Sequence, residues 1–247
     1  MKTSQNTVLI TGGGSGIGFE LAKILSENGN KVIITGRSRE RLEQAVSKLQ
    51  NVDFIQADVT NPKDVERIAD TVKDKFPKLN ILVNNAGNAR YYKLTDENAN
   101  AFEKASDEIQ TNYLSIVRLT EKLLPTLSKN GSAAIANVSS IVALVPGITL
   151  PTYAASKAAL HSYSQALRLT LERNGNDTKV FELMPPLVNT EFSKEIGGEN
   201  GMEPQAVAQS LLDGFADDVY EIHPGMTADL YQLFLQSPQQ ALAALNS

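Results

Sequence analysis

The chain has no cysteine and no tryptophan, and its only histidines are His161 and His223. Without cysteine there can be no disulfide, no thiolate nucleophile and no cysteine-based zinc site. Two histidines 62 positions apart offer no metal-ligand spacing, so no metal is expected. Basic residues are not in excess either: 23 Lys and Arg face 28 Asp and Glu, for a net charge of -5. That balance supplies no positive field for nucleic acid, and no such partner is expected. No apolar run approaches the roughly 18 residues of a membrane span, and Met1–Asn6 lacks the apolar core of a secretion signal. The expectation is a cytosolic protein that does not engage a membrane. Hydrophobic residues at 42% and charged residues at 21% are ordinary for a globular chain, and 247 residues suit one α/β domain over 1–247.

What is present begins at Thr7–Thr11, a β-rich run that feeds into Gly12-Gly13-Gly14-Ser15-Gly16-Ile17-Gly18 and then a helical stretch from Phe19 to Asn28. A strand, a glycine turn and a helix start form a pyrophosphate site. Glycine lets the backbone approach closely, and the helix N-terminus offers unpaired N–H groups and the positive dipole end. Gly12, Ser15, Gly16, Ile17 and Gly18 are the candidate contacts, at spacing G-x-x-x-G-x-G. Lys31–Thr35 makes the second strand of a βαβ unit and runs into Gly36-Arg37-Ser38-Arg39. A free ribose 2′-hydroxyl is usually held by a carboxylate here, whereas a 2′-phosphate favours arginine. Arg37 therefore points to NADP(H), with NAD(H) left open as the outcome if Arg37 is a solvated turn residue or stacks on adenine.

Further strands are read at 52–56, 80–83, 132–138, 179–184 and 219–222. Helices are read at 39–49, from Asn61-Pro62, and at 106–128, 153–173 and 204–216. Strands alternating with helices predict a doubly wound parallel sheet. At Tyr153-Ala154-Ala155-Ser156-Lys157, a phenol and an ammonium lie one turn apart on a helix face. A neighbouring cation favours phenolate, which would suit a general acid/base. By itself the pair reads as an ordinary helical couple, and the site has to come from the rest of the chain.

Taken as a set, Thr11-Gly12 to Gly18, Asn84-Asn85-Ala86-Gly87, Ser140 and Tyr153…Lys157 resemble the short-chain dehydrogenase/reductase family in its compact single-domain form, over about residues 7–220. The resemblance implies a Rossmann-type seven-stranded sheet and hydride transfer between a nicotinamide and a carbonyl or alcohol. It implies that Asp58 and Val59 hold the adenine and that Asn84 and Gly87 support the central strand and the cofactor. Asn112 would order a water linked to Lys157. Family spacing, thirteen residues before Tyr153, selects Ser140 over Ser139. Val188 and Thr190 would meet the nicotinamide amide and the phosphates. Thus Asn112, Ser140, Tyr153 and Lys157 are the expected catalytic set, Tyr153 and Lys157 also touching the cofactor.

Two departures stand out. Pro185-Pro186 replaces the usual Pro-Gly and removes a backbone N–H, and 226–247 reads as helical, broken at Ser237-Pro238, where many relatives have a glycine-rich strand. Both resemble a bacterial carbonyl reductase branch that includes an oxidoreductase encoded with lipoteichoic acid D-alanylation genes. Residues 191–203, rich in glycine, are expected to be a mobile substrate loop. Leu144, Leu150, Leu187, Phe192 and Ile196 suggest an apolar carbonyl substrate. His161 is expected at the surface or at an interface, in a homodimer or homotetramer. Two rival functions are a catalytically weak nucleotide sensor and a reductase of carrier-bound 3-ketoacyl groups.

Overall fold

Segments such as Val8-Leu9-Ile10, Val32-Ile33-Ile34 and Ile81-Leu82-Val83 are apolar at every position, the mark of parallel strands covered by helices on both faces. The computed structural model describes residues 1–247. Its strands β1 (Thr7–Thr11), β2 (Lys31–Gly36), β3 (Val52–Gln56), β4 (Ile81–Asn84), β5 (Ala134–Val138), β6 (Lys179–Leu183) and β7 (Glu221–Ile222) form one parallel sheet, ordered β3-β2-β1-β4-β5-β6-β7. The helices are α1 (Gly16–Glu27), α2 (Arg39–Val46), α3 (Pro62–Lys75), α4 (Ala101–Ile109), α5 (Ser115–Leu127), α6 (Pro151–Arg173), α7 (Pro204–Asp217), α8 (Met226–Gln236) and α9 (Pro238–Leu245).

The two-residue period of the strands sorts their side chains into two cores. Val8, Ile10, Val32, Ile34, Ile81 and Val83 pack on α1, α2 and α7 through Leu21, Leu25, Leu42, Leu211 and Phe215. Leu9, Ile33, Leu82 and Ile135 face the other way, onto Val65, Ile68 and Val72 of α3 and Leu119 and Leu123 of α5. Each such buried aliphatic contributes about 1.5–3 kcal/mol, so the sheet is held from both sides. Between β1 and β4 the strand order reverses and the flanking connections diverge, which opens a crevice at the carboxyl ends of the strands.

Two features differ from the sequence reading, and a third adds detail to it. The helix expected from Ser106 begins at Ala101, and α4 and α5 are one rod joined by a π-helical turn, Gln110–Leu114, with Asn112 at its centre. Helix α6 starts at Pro151, so Tyr153 is its third residue. Proline suits a first helical turn because its missing N–H has no partner there anyway. Residues 191–203 contain two short 3-10 turns, Glu191–Ile196 and Gly198–Asn200, whose two ends are tied where Val188 bridges Met202.

A third, smaller core joins α8 and α9 to the turn after β5 and the start of α6, through Leu230, Ala241, Ile141, Val145 and Ala154. The Asn246 amide closes it by donating to Pro146 O at 3.0 Å and accepting the Ile148 N–H at 2.8 Å.

Candidate active site

The crevice is a continuous cleft of about 1010 Å³ that runs from the glycine turn past β4 and β5 to Met226 and Leu245. Gly12 and Gly16 take left-handed φ of +67° and +54°, which strongly favours glycine there. Ser15, at the N-cap of α1, makes no side-chain cap, and the first N–H groups of the helix stay free for an anion. Gly12, Ser15, Gly16 and Ile17 line the cleft. Gly18 does not. A Cβ there would stand 2.3 Å from Gly12 O and 2.5 Å from Asn85 Nδ2, so Gly18 is the seat on which α1 meets β1. A Gly18→Ala variant should lose about 2 kcal/mol or more through overpacking, a fall of several degrees in Tm by calorimetry. An unchanged Tm would refute this packing role.

At the far end of the turn Arg37, Ser38 and Arg41 border the cleft, with Asp58 and Val59 opposite. Arg41 was not anticipated. It sits on the first turn of α2, where a Cβ on Gly14 would touch its side chain at 3.6 Å. The Asp58 carboxylate takes the Thr60 N–H and hydroxyl at 2.9 and 2.7 Å through Oδ1.

Asn84 is not where a cofactor contact would be. Its side chain is buried in the sheet, where Nδ2 donates to Asn137 Oδ1 at 2.8 Å, and it does not line the cleft. Successive strand residues face opposite ways, and the next residue does the reaching. The Asn85 amide donates to Thr11 O and Gly12 O at 2.9 and 3.2 Å, pinning β4 to the glycine turn. Gly87 lines the cleft. A Cβ on it would lie 3.5 Å from Asn112 Oδ1 and 3.8 Å from Lys157 Nζ.

Ser140, Tyr153 and Lys157 come together on the cleft wall. Ser140 follows β5 and caps a short 3-10 turn by accepting the Val142 N–H at 3.3 Å. Lys157 Nζ donates to Val138 O at 2.8 Å and lies 5.6 Å from the centre of the Tyr153 ring. Burial pushes the Tyr153 phenol above its ordinary value; the Ser140 hydroxyl pulls the other way, and Glu108 adds to the rise. Burial also lowers Lys157 to about 8, opposed by the charge of Glu182. In the protein alone, then, desolvation outweighs the downward pull on the phenol expected of Lys157.

Asn112 is fully buried and does not line the cleft. Its Nδ2 donates to Asn88 O and Ser156 Oγ at 2.7 and 2.8 Å, and its Oδ1 accepts the Asn88 N–H at 2.8 Å. Both amide protons are used, so the side chain acts as a brace between α6 and the segment after β4. Val188 and Thr190 line the cleft, and Thr190 stands against the glycine turn, where a Cβ on Gly16 would meet Thr190 Cγ2 at 3.2 Å. Phe192 leans over the site with its ring 6.3 Å from that of Tyr153. Ser139, passed over by the spacing, lines the cleft with a buried hydroxyl that has no partner. His161 is half-buried at the surface rather than free there: its Nδ1 bonds Glu182 Oε2 at 2.9 Å.

A sequence profile described as short chain dehydrogenase matches residues 6–201. The chain belongs to the short-chain dehydrogenase family and is an oxidoreductase of that family. The oxidoreductase DltE of Bacillus subtilis (strain 168) is 39% identical over 227 residues, 90% of this chain and 89% of that one. An oxidoreductase of Staphylococcus epidermidis, SERP2049, is 31% identical over 85% of this chain and 91% of its own. The branch read from Pro185-Pro186 and the helical ending is thus the branch found. Among solved structures, a short chain dehydrogenase from Burkholderia cenocepacia in complex with NADP superposes with a TM-score of 0.88 at 25% identity over 100% of both chains. A Burkholderia phymatum member in complex with NAD gives 0.86 at 22% identity over 96% of each, a likeness of fold.

Proposed function

We propose that the chain is an NADP(H)-dependent carbonyl reductase, or alcohol dehydrogenase in reverse, acting on an uncharged and largely apolar ketone or secondary alcohol. The observation that carries this reading is the cleft itself: one end is an uncapped helix start behind left-handed glycines, and the other holds a buried phenol between a hydroxyl and an ammonium. The residues fit a dinucleotide. The glycine cradle and the free N–H groups of α1 suit a pyrophosphate. Arg37 and Arg41 suit a 2′-phosphate, and Asp58 and Val59 the adenine. Lys157 would hold the nicotinamide ribose, and Val188 and Thr190 the amide and phosphates. The unpaired Ser139 hydroxyl is a further donor facing the same space.

When bound, the nicotinamide supplies or accepts the hydride. The protein's part is proton transfer and placement. Tyr153, protonated at neutral pH because burial holds its proton, donates to the substrate oxygen. Ser140 donates a hydrogen bond to the same oxygen, which favours the charge that develops on it. It is not a nucleophile, because no histidine lies beside it to activate it. The Lys157 ammonium stabilises the phenolate left behind, and the Asn112 brace holds Ser156 and Asn88 on either side.

Substrate chemistry follows from charge. Beyond the phosphate-binding end, with Glu20, Arg37, Arg41 and Asp58, the lining carries charge only at Lys157 and Glu191. Ile141, Val142, Leu150, Leu187, Phe192 and Ile196 supply the rest of the wall. No cation is spare for a carboxylate or phosphopantetheine group, which disfavours carrier-bound substrates.

Steady-state rates on a panel of apolar ketones with NADPH and NADH test the proposal. Turnover with apolar ketones supports it, and a folded, cofactor-binding protein inert to every ketone and alcohol would leave a nucleotide sensor instead. An Arg37→Ala,Arg41→Ala variant should weaken NADPH about 10- to 100-fold with little effect on NADH, the loss of one or two charge-assisted bonds. Equal loss of both nucleotides in a fluorescence titration would refute the assignment of the arginines.

A further inference from the structure

Only three charged side chains in the molecule are buried: Glu108, Lys157 and Glu182. Lys157 is part of the site. Glu182 interrupts the apolar strand β6 with a carboxylate that is wholly inaccessible, one of whose oxygens, Oε1, has no hydrogen-bond partner. A buried carboxylate is costly unless nearby positive charge compensates it. The compensation lies on α6. Lys157 and His161 are one turn apart on the same face of that helix. Glu182 is the register partner of Asn137, whose amide donates to Ser164 of α6 at 2.9 Å, so this side of the sheet faces the helix. Glu182 Oε2 bonds His161 Nδ1 at 2.9 Å, and one residue beyond Asn137, Val138 O accepts from Lys157 Nζ at 2.8 Å. The Glu182 carboxylate therefore faces the same side of α6 as the ammonium of the site, and its hydrogen-bond partner there, His161, has a side chain 18% exposed.

We propose that Glu182 is a positioning residue for the proposed proton transfer, a buried counter-charge that keeps Lys157 an ammonium, and that His161 adjusts its strength. The proposal rests on Lys157 serving in the reaction described above. Protonated His161 offsets the carboxylate, and neutral His161 frees it. As pH rises and His161 loses its proton, the hold on Lys157 tightens, so the ammonium persists further into the alkaline range. The other charged and titratable groups around His161 are Glu221 on β7, Arg168 on α6 and His223 after β7. Arg168 bonds Glu221 at 2.7 Å, so their effects on the histidine oppose each other. Hydrogen bonding and charge agree with the geometry: the bond to Glu182 raises His161, and Glu182 raises Lys157, in both cases against burial, which lowers them.

The test uses the nucleotide-free protein and so stands apart from turnover. Lysine 13Cε and histidine imidazole NMR titrations are recorded for the wild type and for Glu182→Gln, with His223→Gln as background so that a single imidazole remains. In the wild type the Lys157 signal should show a second inflection at the midpoint of His161. In Glu182→Gln the Lys157 midpoint should fall by about one pH unit, a tenfold weaker hold on the proton, and the His161 midpoint should fall as well. Glu182→Asp should restore most of the Lys157 midpoint. An unmoved Lys157 midpoint in a folded Glu182→Gln protein would overturn the proposal, as would a wild-type Lys157 signal with no inflection at the His161 midpoint. The midpoints report on the pair even if no ketone is turned over, so this proposal and the proposed reaction can fail separately. With turnover, the alkaline limb of the kcat/KM profile should move down in parallel with the Lys157 midpoint.

Discussion

Replacing Lys157 with methionine is expected to give a protein that is more stable at pH 7 and close to inert. The ammonium is buried, and its proton is held down to about 8 rather than the ordinary 10.5. Between those values the unfolded chain binds the proton more readily than the folded one, so wild-type stability should rise with pH across that window. Below about pH 8 the folded state carries the whole cost, about 3 kcal/mol. Methionine has similar volume and no charge, and so removes this cost. It leaves Val138 O without its donor, a loss of about 1–2 kcal/mol. The net gain is about 1–2 kcal/mol, a few degrees of Tm in a chain this long. Thermal melts at pH 7 and pH 10.5 check it: the advantage of Lys157→Met should shrink at the higher pH. An advantage that is absent at pH 7, or equal at both, would show that the ammonium costs the fold nothing.

For Tyr153→Phe the expected loss is in the chemical step alone. Phenylalanine keeps the ring beside Phe192 and the packing around Val142 and Ala154, and removes only the proton donor. Ketone reduction should fall by about 10²–10⁴-fold, the usual worth of a general acid, while NADPH affinity stays within a few fold. Because burial keeps the phenol protonated, the wild-type reductive rate should be flat through neutral pH and decline above about 8, where Lys157 loses its charge. A Tyr153→Phe protein that retained full ketone-dependent NADPH oxidation would end the proposed mechanism.

How far the sequence reached depended on the range of the interaction in question. Strand β1, the glycine turn and α1 were legible because their causes are local: β-branched residues, glycine where φ is positive, and a helical period after it. The spacing of Tyr153 and Lys157 was legible because residues four apart meet on any helix. Asn84 supports the central strand, as expected, through Asn137 on β5, but Asn85 rather than Asn84 lines the cleft, since the end of a strand does not announce which of two consecutive asparagines turns inward. The π turn at Asn112 depends on Asn88 and Ser156, partners from other segments, and nothing in Gln110–Leu114 announces it. Arg41 could have been found as the arginine one turn beyond Arg37. Glu182 carried a visible signal, a charge amid Val-Phe-Glu-Leu, yet the reason for it lies on α6. The partner that makes His161 more than a surface residue was hidden for the same reason.

The family profile ends at residue 201, and the wall around the reacting end of the cleft does not. Met226 and Leu245 come from α8 and α9, which are fastened to the rest by their own small core and by the Asn246 amide and carry no residue of the proton-transfer set. In the proposed reaction, then, part of the wall that meets the substrate comes from a segment outside the family match, beside Ile141, Val142, Leu150, Leu187, Phe192 and Ile196 within it. Under the proposed reaction, changes in residues 226–247 are expected to alter what is admitted without disturbing the proton-transfer residues, so relatives that agree from the glycine turn to Thr190 need not share a substrate.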